Sequence, residues 1–333
     1  MSEPTYSGLN ESGNLDASHF GLFPSNNESD NVQSVTIENV TAENDSTFRL
    51  QLVLDPPEAS GSEEITISPT ISPIYDRAGN QVLNQLTVTF NDELAPSVSI
   101  NPVSTDPIAP NTDFELIFSE SIKRYQASDT SIVNLDVNVI ASIIHLIAQD
   151  GDTIDYEATL TLNATVITIN PDDDLNELET VTLSFPGSEF CDQGMNLVSS
   201  EEVEYVVADI TPPSFQSDTL GYGNDYVRIE ISEGIYTDPS ATGAVNVDDF
   251  NLVVDYGDEA GAESISIESI ADQFGGIPAG GDTLLRLNLS IIGAPNGTEK
   301  VSVQAVPNQI YDLGGNVLSA NEATSEYYLA NDP

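Results

Sequence analysis

Basic residues are scarce in this chain. Of 333 residues, 7 are Lys or Arg against 55 Asp or Glu, a formal net charge of −48. That balance argues against nucleic acid or an anionic membrane surface as partner, because both need positive charge. It suits a medium rich in salt or divalent cations, where screening shortens the reach of repulsion to roughly 3–10 Å. One cysteine, Cys191, excludes an intrachain disulfide framework and reads as a small buried apolar residue. Tryptophan is absent, which weakens any sugar-stacking site. No stretch approaches the roughly 18 apolar residues of a membrane helix. The N-terminal "MSEPTYSGLN" has neither the basic region nor the apolar core of a signal peptide, so a secreted protein would carry its signal outside this chain.

Catalytic groups are also sparse. There are two histidines. His19, in "DASHFGL", reads as a surface position, and His145, in "SIIHLIA", as a packed or edge histidine. No nucleophile elbow, zinc-protease helix, phosphate loop or cysteine pair is present. Asn39 and Asn163 head Asn-x-Ser/Thr triplets that this Asn and Thr content produces by chance. Carboxylates are abundant, but nothing singles out a catalytic pair, and the expectation is that the chain is not an enzyme.

What the chain does have is repetition. "SPIYDRAGNQVL" (72–83), "SEFCDQGMNLV" (188–198) and "NQIYDLGGNVL" (308–318) are three versions of one turn. Their aspartates, Asp76, Asp192 and Asp312, are 116 and 120 residues apart. A second landmark is a strand ending in Ser-Glu, at Glu3, Glu120 and Glu233, spaced 117 and 113 residues apart. Residues 2–20 align without a gap on 232–250, sharing Ser-Glu, Tyr6 with Tyr236, Gly13 with Gly243, and Phe20 with Phe250. Two landmarks giving one period predict three repeats, over 1–93, 94–210 and 211–333, with Pro-marked junctions at "NDELAPSVSI" and "ADITPPSF".

Within each repeat, Thr, Val, Ile and Tyr alternate at period two between frequent turn residues, which predicts an all-β fold of antiparallel sandwiches. One helix candidate, 128–147, has a β-branched content that favours strand. "DASHFGL" and "NVDDFNL" each have room for one helical turn.

A strand ending in Phe-Ser-Glu, then Asp-x-x-Gly-Asn before the last strand, then a Pro junction, resembles the bacterial Ig-like domains of S-layer proteins, adhesins and other large surface proteins. The resemblance spans the chain. It implies tandem Ig-like sandwiches in an extracellular or cell-surface protein, and says little about a specific role. Repeat two departs from the pattern, with Met195 where Gly79 and Gly315 stand. A positive φ there is costly for Met, so the second turn is expected to differ.

Repeat one is expected to lack its first strand and most of its second, because only Met1 precedes its Ser-Glu. At the other end, "YYLANDP" stops where another junction is due. The chain reads as a segment of a longer array whose neighbours are further repeats. The alternative is a homo-oligomeric filament or lattice subunit completed by strand exchange, although no spare β segment lies outside the repeats. A third reading is an adhesin module binding glycan or protein.

The Asp turn is the one candidate for chemistry. As plain structure, Asp76 and Asp312 accept backbone N–H bonds and Gly79 and Gly315 supply positive φ. As a metal site it needs several converging oxygens, since calcium takes about 6–8. If seven strands alternate direction, the Ser-Glu end, the Asp turn and the incoming linker meet at one pole. That predicts calcium held by Asp92, Glu120, Asp192 and Asn196 in repeat two, and by Asp209, Glu233, Asp312 and Asn316 in repeat three. Repeat one supplies Glu3, Asp76 and Asn80 without a linker aspartate. Arg77, second in its turn, is expected to point outward.

Overall fold

The computed structural model describes residues 1–9, 11–25 and 30–330. The junction expected in the C-terminal "NDP" falls at 331–333, outside the described residues. Strand accounts for 46% of the chain and helix for 5%, which bears out the all-β class. By packing, the chain divides into two compact units: 1–106 with 111–174 and 181–205, and 107–110 with 175–180 and 206–333.

In the first unit a four-stranded antiparallel sheet runs Tyr156–Leu160, Val166–Pro171, Phe114–Phe118, Val98–Asn101. A three-stranded sheet, His145–Ile147, Thr180–Phe185, Glu201–Val206, faces it. The alternation in "FELIF" places Phe114, Leu116 and Phe118 inward, and all three are buried. Phe114 meets Tyr205 of the facing sheet at a centroid distance of 5.0 Å, and Phe118 meets Phe185 at 5.7 Å. Each such ring is worth about 1.5–3 kcal/mol of burial. Tyr205 also needs a partner for its hydroxyl, and donates to Pro102 O at 2.9 Å.

The same unit contains a sheet of Phe20–Pro24, Glu64–Pro69 and Leu86–Thr89, and a two-stranded hairpin, Ser34–Asn44 with Thr47–Asp55. In the second unit, Phe215–Leu220, Tyr226–Ile235, Asp282–Gly293 and Ala262–Ala271 form another four-stranded sheet. It shares one apolar core with the sheet of Phe250–Asp255, Lys300–Ala305 and Tyr327–Tyr328: Val227, Ile229, Leu285 and Leu287 pack with Phe250 and Val303. Both four-stranded sheets have the same chain order, with the second strand to arrive sitting beside the last.

Three local expectations have definite outcomes. The helical turns form at Ala17–His19 and Val247–Asp249. The 128–147 segment holds strands at Ser131–Val133 and His145–Ile147, but a helix, Val137–Ile143, separates them, against the β-branched composition. Asp136 caps it through Asn138 N–H (2.8 Å), and Ile140 and Ile143 are buried at helical spacing. Tertiary burial overrides propensity here. His19 is not a surface residue: it is 8% exposed, and its Nδ1 accepts the Asp16 N–H at 3.1 Å in a capping box. Asp249 does the same work at the aligned position, accepting the Asn246 N–H at 2.7 Å. His145 is exposed on its edge strand. Cys191 is fully buried, and burial pushes its thiol up to about 11.

Candidate metal centres

All three Asp turns close in the same way. The Asp main-chain N–H donates to the Asn carbonyl four residues on: Asp76 to Asn80 (2.8 Å), Asp192 to Asn196 (3.2 Å) and Asp312 to Asn316 (3.1 Å). The Asn main-chain N–H then donates to Asp Oδ1, at 2.7, 2.9 and 2.7 Å. Its Nδ2 donates to Oδ2, at 2.7, 2.8 and 2.9 Å. The fourth turn residue has positive φ in each: Gly79 at 84°, Met195 at 69°, Gly315 at 84°. The second turn therefore does not differ, contrary to expectation. Met195 takes the left-handed conformation because the Asp–Asn bonds over-determine it.

In two of the three turns the aspartate is joined by other acids. Asp92, Glu120 and Asp192 place one carboxylate oxygen each within 4.8 Å of one another, and so do Asp209, Glu233 and Asp312. Asp192 and Asp312 are fully buried. The linkers are fastened from below: Asn196 Nδ2 donates to Asp92 O, and Asn316 Nδ2 to Asp209 O, both at 3.1 Å. Both amides thus enter the clusters as donors. Glu3 is exposed, and among the described residues Glu3, Asp76 and Asn80 gather no third acidic group. Arg77 points outward as expected and pairs through Nε with Glu11 Oε1 at 2.8 Å.

Packing this much negative charge together shifts the acids upward. Burial, then Asp92 and Asp192, pushes Glu120 up to about 7. Burial, then Asp192 and Glu63 across it, raises Asp92 despite a bond from Leu94 N–H. Glu233 is raised by burial and by Asp312, Asp209 and Glu177. Asp209 is raised by burial first, then by Glu177 and Asp312, and its Oδ2 is buried without a hydrogen-bond partner. Two full charges 4 Å apart repel by about 4 kcal/mol at an effective dielectric of 20. Such a cluster favours whatever neutralises it, a proton or a cation.

Two participants escape a sequence reading. Glu177 lies beside Asp209, held by Thr211 Oγ1–H (2.8 Å), Ile210 N–H (3.0 Å) and Thr211 N–H (3.1 Å), which lower its pKa. The third turn position is the other. A Cβ on Gly194 would stand 3.0 Å from Asp92 O, and one on Gly314 would stand 2.7 Å from Asp209 Cβ. The first turn, which among the described residues no linker aspartate joins in an acidic cluster, has Ala78 there. The Ala/Gly difference is visible in the sequence, but only the packing gives it meaning.

A family model described as bacterial Ig-like domain matches residues 92–206. No curated protein matches the chain. Among solved structures, the N-terminal part of the bacterial S-layer protein SbsC is 15% identical, over 72% of this chain and 45% of that one, with a TM-score of 0.24. Domains 1–6 of the surface layer protein SbsC are 10% identical, over 92% of this chain and 50% of that one, with a TM-score of 0.20. The chain spans about half the length of the structures it matches. Residues 92–206, which run from the linker aspartate of the first cluster through its Ser-Glu strand and its Asp turn, are thus similar to the bacterial Ig-like domains.

Proposed function

We propose that the chain is a non-catalytic structural segment of a bacterial cell-surface or secreted protein. In this reading it is built of tandem Ig-like repeats over 1–93, 94–210 and 211–333, and calcium bound at Asp92–Glu120–Asp192 and Asp209–Glu233–Asp312 stiffens the linkers. The observation that supports this best is the common construction of the two clusters. Each draws one carboxylate from a linker, one from the Ser-Glu pair near a strand's end and one from a fully buried turn aspartate. The donors are all hard oxygens without nitrogen or sulfur, which is calcium chemistry rather than that of a softer metal. A cation at each cluster ties linker, strand and turn together, and the net charge of −48 draws cations to it.

Calorimetry on the chelator-stripped chain tests the reading. Two sites are expected, each with an affinity of about 10⁻⁴–10⁻³ M, the range of extracellular modules. Asp92→Ala should remove one and Asp209→Ala the other, because each loses a ligand and a charge. Millimolar calcium should raise the melting temperature of the wild type. Unchanged binding in both variants, or melting indifferent to calcium, would reduce the clusters to structural turns.

A further inference from the structure

The hairpin Ser34–Asn44/Thr47–Asp55 is a two-stranded sheet, and among the described residues no strand pairs with the outer edge of Thr47–Asp55. In the other two sheets of this kind that edge is occupied. Val166–Pro171 pairs antiparallel with Phe114–Phe118, and Asp282–Gly293 with Tyr226–Ile235. The second strand of each hairpin is fully buried where it is covered: Ile167, Ile169, Leu285 and Leu287 are all 0% exposed. Phe48, Leu50, Leu52 and Leu54 repeat the inward pattern, yet none of them is buried. Beneath Phe48 and Leu50 runs an open groove of about 640 Å³, lined also by Phe20, Ile67, Ile74 and Leu86. The facing sheet shows the same deficit. Val88, which stands four residues before Asp92 as Tyr205 does before Asp209, is 41% exposed where Tyr205 is 1%.

The chain direction at the mouth of the groove matches that of the covered sheets. Ser2-Glu3 aligns with Ser232-Glu233 and lies at the rim. The Met1 amino group donates to Ser46 O (2.8 Å) and Thr5 N–H to Asp45 O (2.9 Å), beside the hairpin turn. In the covered sheet the corresponding bonds are Phe118 N–H to Thr165 O (2.9 Å) and Ile122 N–H to Ala164 O (3.0 Å).

We propose that this groove and edge are an acceptor site for a β-hairpin from outside residues 1–333. Its second strand would run antiparallel to Thr47–Asp55 and place alternate Val, Ile or Phe side chains on Phe48, Leu50 and Leu52. The chemistry follows the hairpin that fills the same place in the second unit, Phe215–Leu220 with Tyr226–Ile235, whose Val227, Ile229 and Ile231 point into the core. Main-chain bonds along the edge supply affinity, and the alternating pockets supply selectivity.

The probe is a synthetic peptide of residues 215–233, added to the full chain. Saturable one-to-one binding is expected, with amide exchange slowed at least tenfold at Arg49–Val53. A peptide carrying Val227→Ser, Ile229→Ser and Ile231→Ser should bind at least tenfold more weakly. In a second arm, residues 215–231 replace Met1 ahead of Ser2, so that high effective concentration compensates for weak affinity. Slowed exchange over Arg49–Val53 is expected there too. A Leu50→Glu version should lose it while retaining exchange protection at Leu285 and Leu287 of the second unit. Binding indifferent to the serine substitutions, or exchange unaltered in the fusion, would overturn the proposal. So would a free chain that already dimerises with Arg49–Val53 protected, because a second copy would then be the occupant.

Discussion

The Asn316 side-chain amide donates to the main-chain carbonyl of Asp209 at 3.1 Å, 107 positions earlier in the chain. The same Nδ2 donates to the buried Asp312 carboxylate at 2.9 Å. One amide group therefore closes the turn and fastens the linker. Asn196 repeats this with Asp192 and Asp92, whereas the side-chain bond of Asn80 stays within its own turn.

Asn316→Ala should accordingly cost more than Asn80→Ala. The first removes donors from a buried carboxylate and a linker carbonyl, about 3 kcal/mol together. The second removes one bond at an exposed site and should cost markedly less. Hydrogen exchange at the flanking strands, Lys300–Ala305 for one and Glu64–Pro69 for the other, measures both losses locally.

The third turn position should behave in opposite ways in the bare and linked turns. Gly314→Ala puts a methyl group 2.7 Å from Asp209 Cβ and forces the linker away, at about 1–3 kcal/mol. Gly194→Ala meets Asn196 Nδ2 at 2.8 Å and Asp92 O at 3.0 Å, with a similar cost. Ala78→Gly meets no neighbour and should cost only the added freedom of the unfolded chain, about 0.4–1 kcal/mol. Denaturant titration of the three variants in chelator checks the order, and calcium affinity should fall only in the first two.

How much of this is legible in the sequence depends on the range of the interaction. Strand alternation is local, so the all-β class and the convergence of Glu120 with Asp192 can be read from period and parity. Glu177 cannot: it sits in an irregular segment, and what recruits it is the main chain at Ile210 and Thr211. His19 escapes because burial in a capping box depends on a three-residue bond pattern, while its polarity suggests solvent. The Val137–Ile143 helix escapes because its β-branched residues offset their conformational cost through Ile140 and Ile143 in the core.

Met195 is a site for stabilisation. Its φ of 69° lies in the region where a side chain costs roughly 1–2 kcal/mol relative to glycine. Met195→Gly should raise stability by about 0.5–1 kcal/mol once the greater freedom of unfolded glycine is deducted. Gly315→Met should lower it by more, because a Cβ there would also stand 2.8 Å from Pro239 O. Melting curves of the two variants give the sign directly.

In chelator, stability should fall as pH rises from about 4.5 to about 7. Glu120 has an ordinary value of 4.5 and is pushed up to about 7, so in that window the folded chain holds a proton that the unfolded chain releases. Asp92, Asp209 and Glu233 are raised too and add the same sign. Glu299, which accepts main-chain bonds from Gly261, Ala262 and Asn296, is drawn down to about 2 and acts oppositely. Its contribution is present above 4.5 and lost as pH falls toward 2, and Glu63, also lowered, follows it. Glu120→Gln should flatten the fall between 4.5 and 7, and millimolar calcium should offset it. Denaturant titrations across about pH 3–8 read each effect.

The two clusters should not bind calcium equally. Glu177 adds a fourth carboxylate beside Asp209, and its charge raises the pKa of both Asp209 and Glu233. Counted back from the buried start of the following strand, Gly61 stands at the same place before Ile65 as Glu177 before Val181 and Gly297 before Val301. The extra acid therefore belongs to one cluster and has no counterpart in the periodic pattern. Both Glu177 oxygens already accept bonds from Ile210 and Thr211, so its effect comes mainly through charge rather than ligation. Glu177→Gln keeps the shape and removes the charge. It should weaken calcium binding at the Asp209 cluster about fivefold and leave the Asp92 cluster unchanged. Titration in an Asp92→Ala background isolates the Asp209 site, and titration in an Asp209→Ala background supplies the control. Equal loss in both backgrounds would mean that Glu177 acts on the whole chain's charge, and no loss in either would remove it from the site.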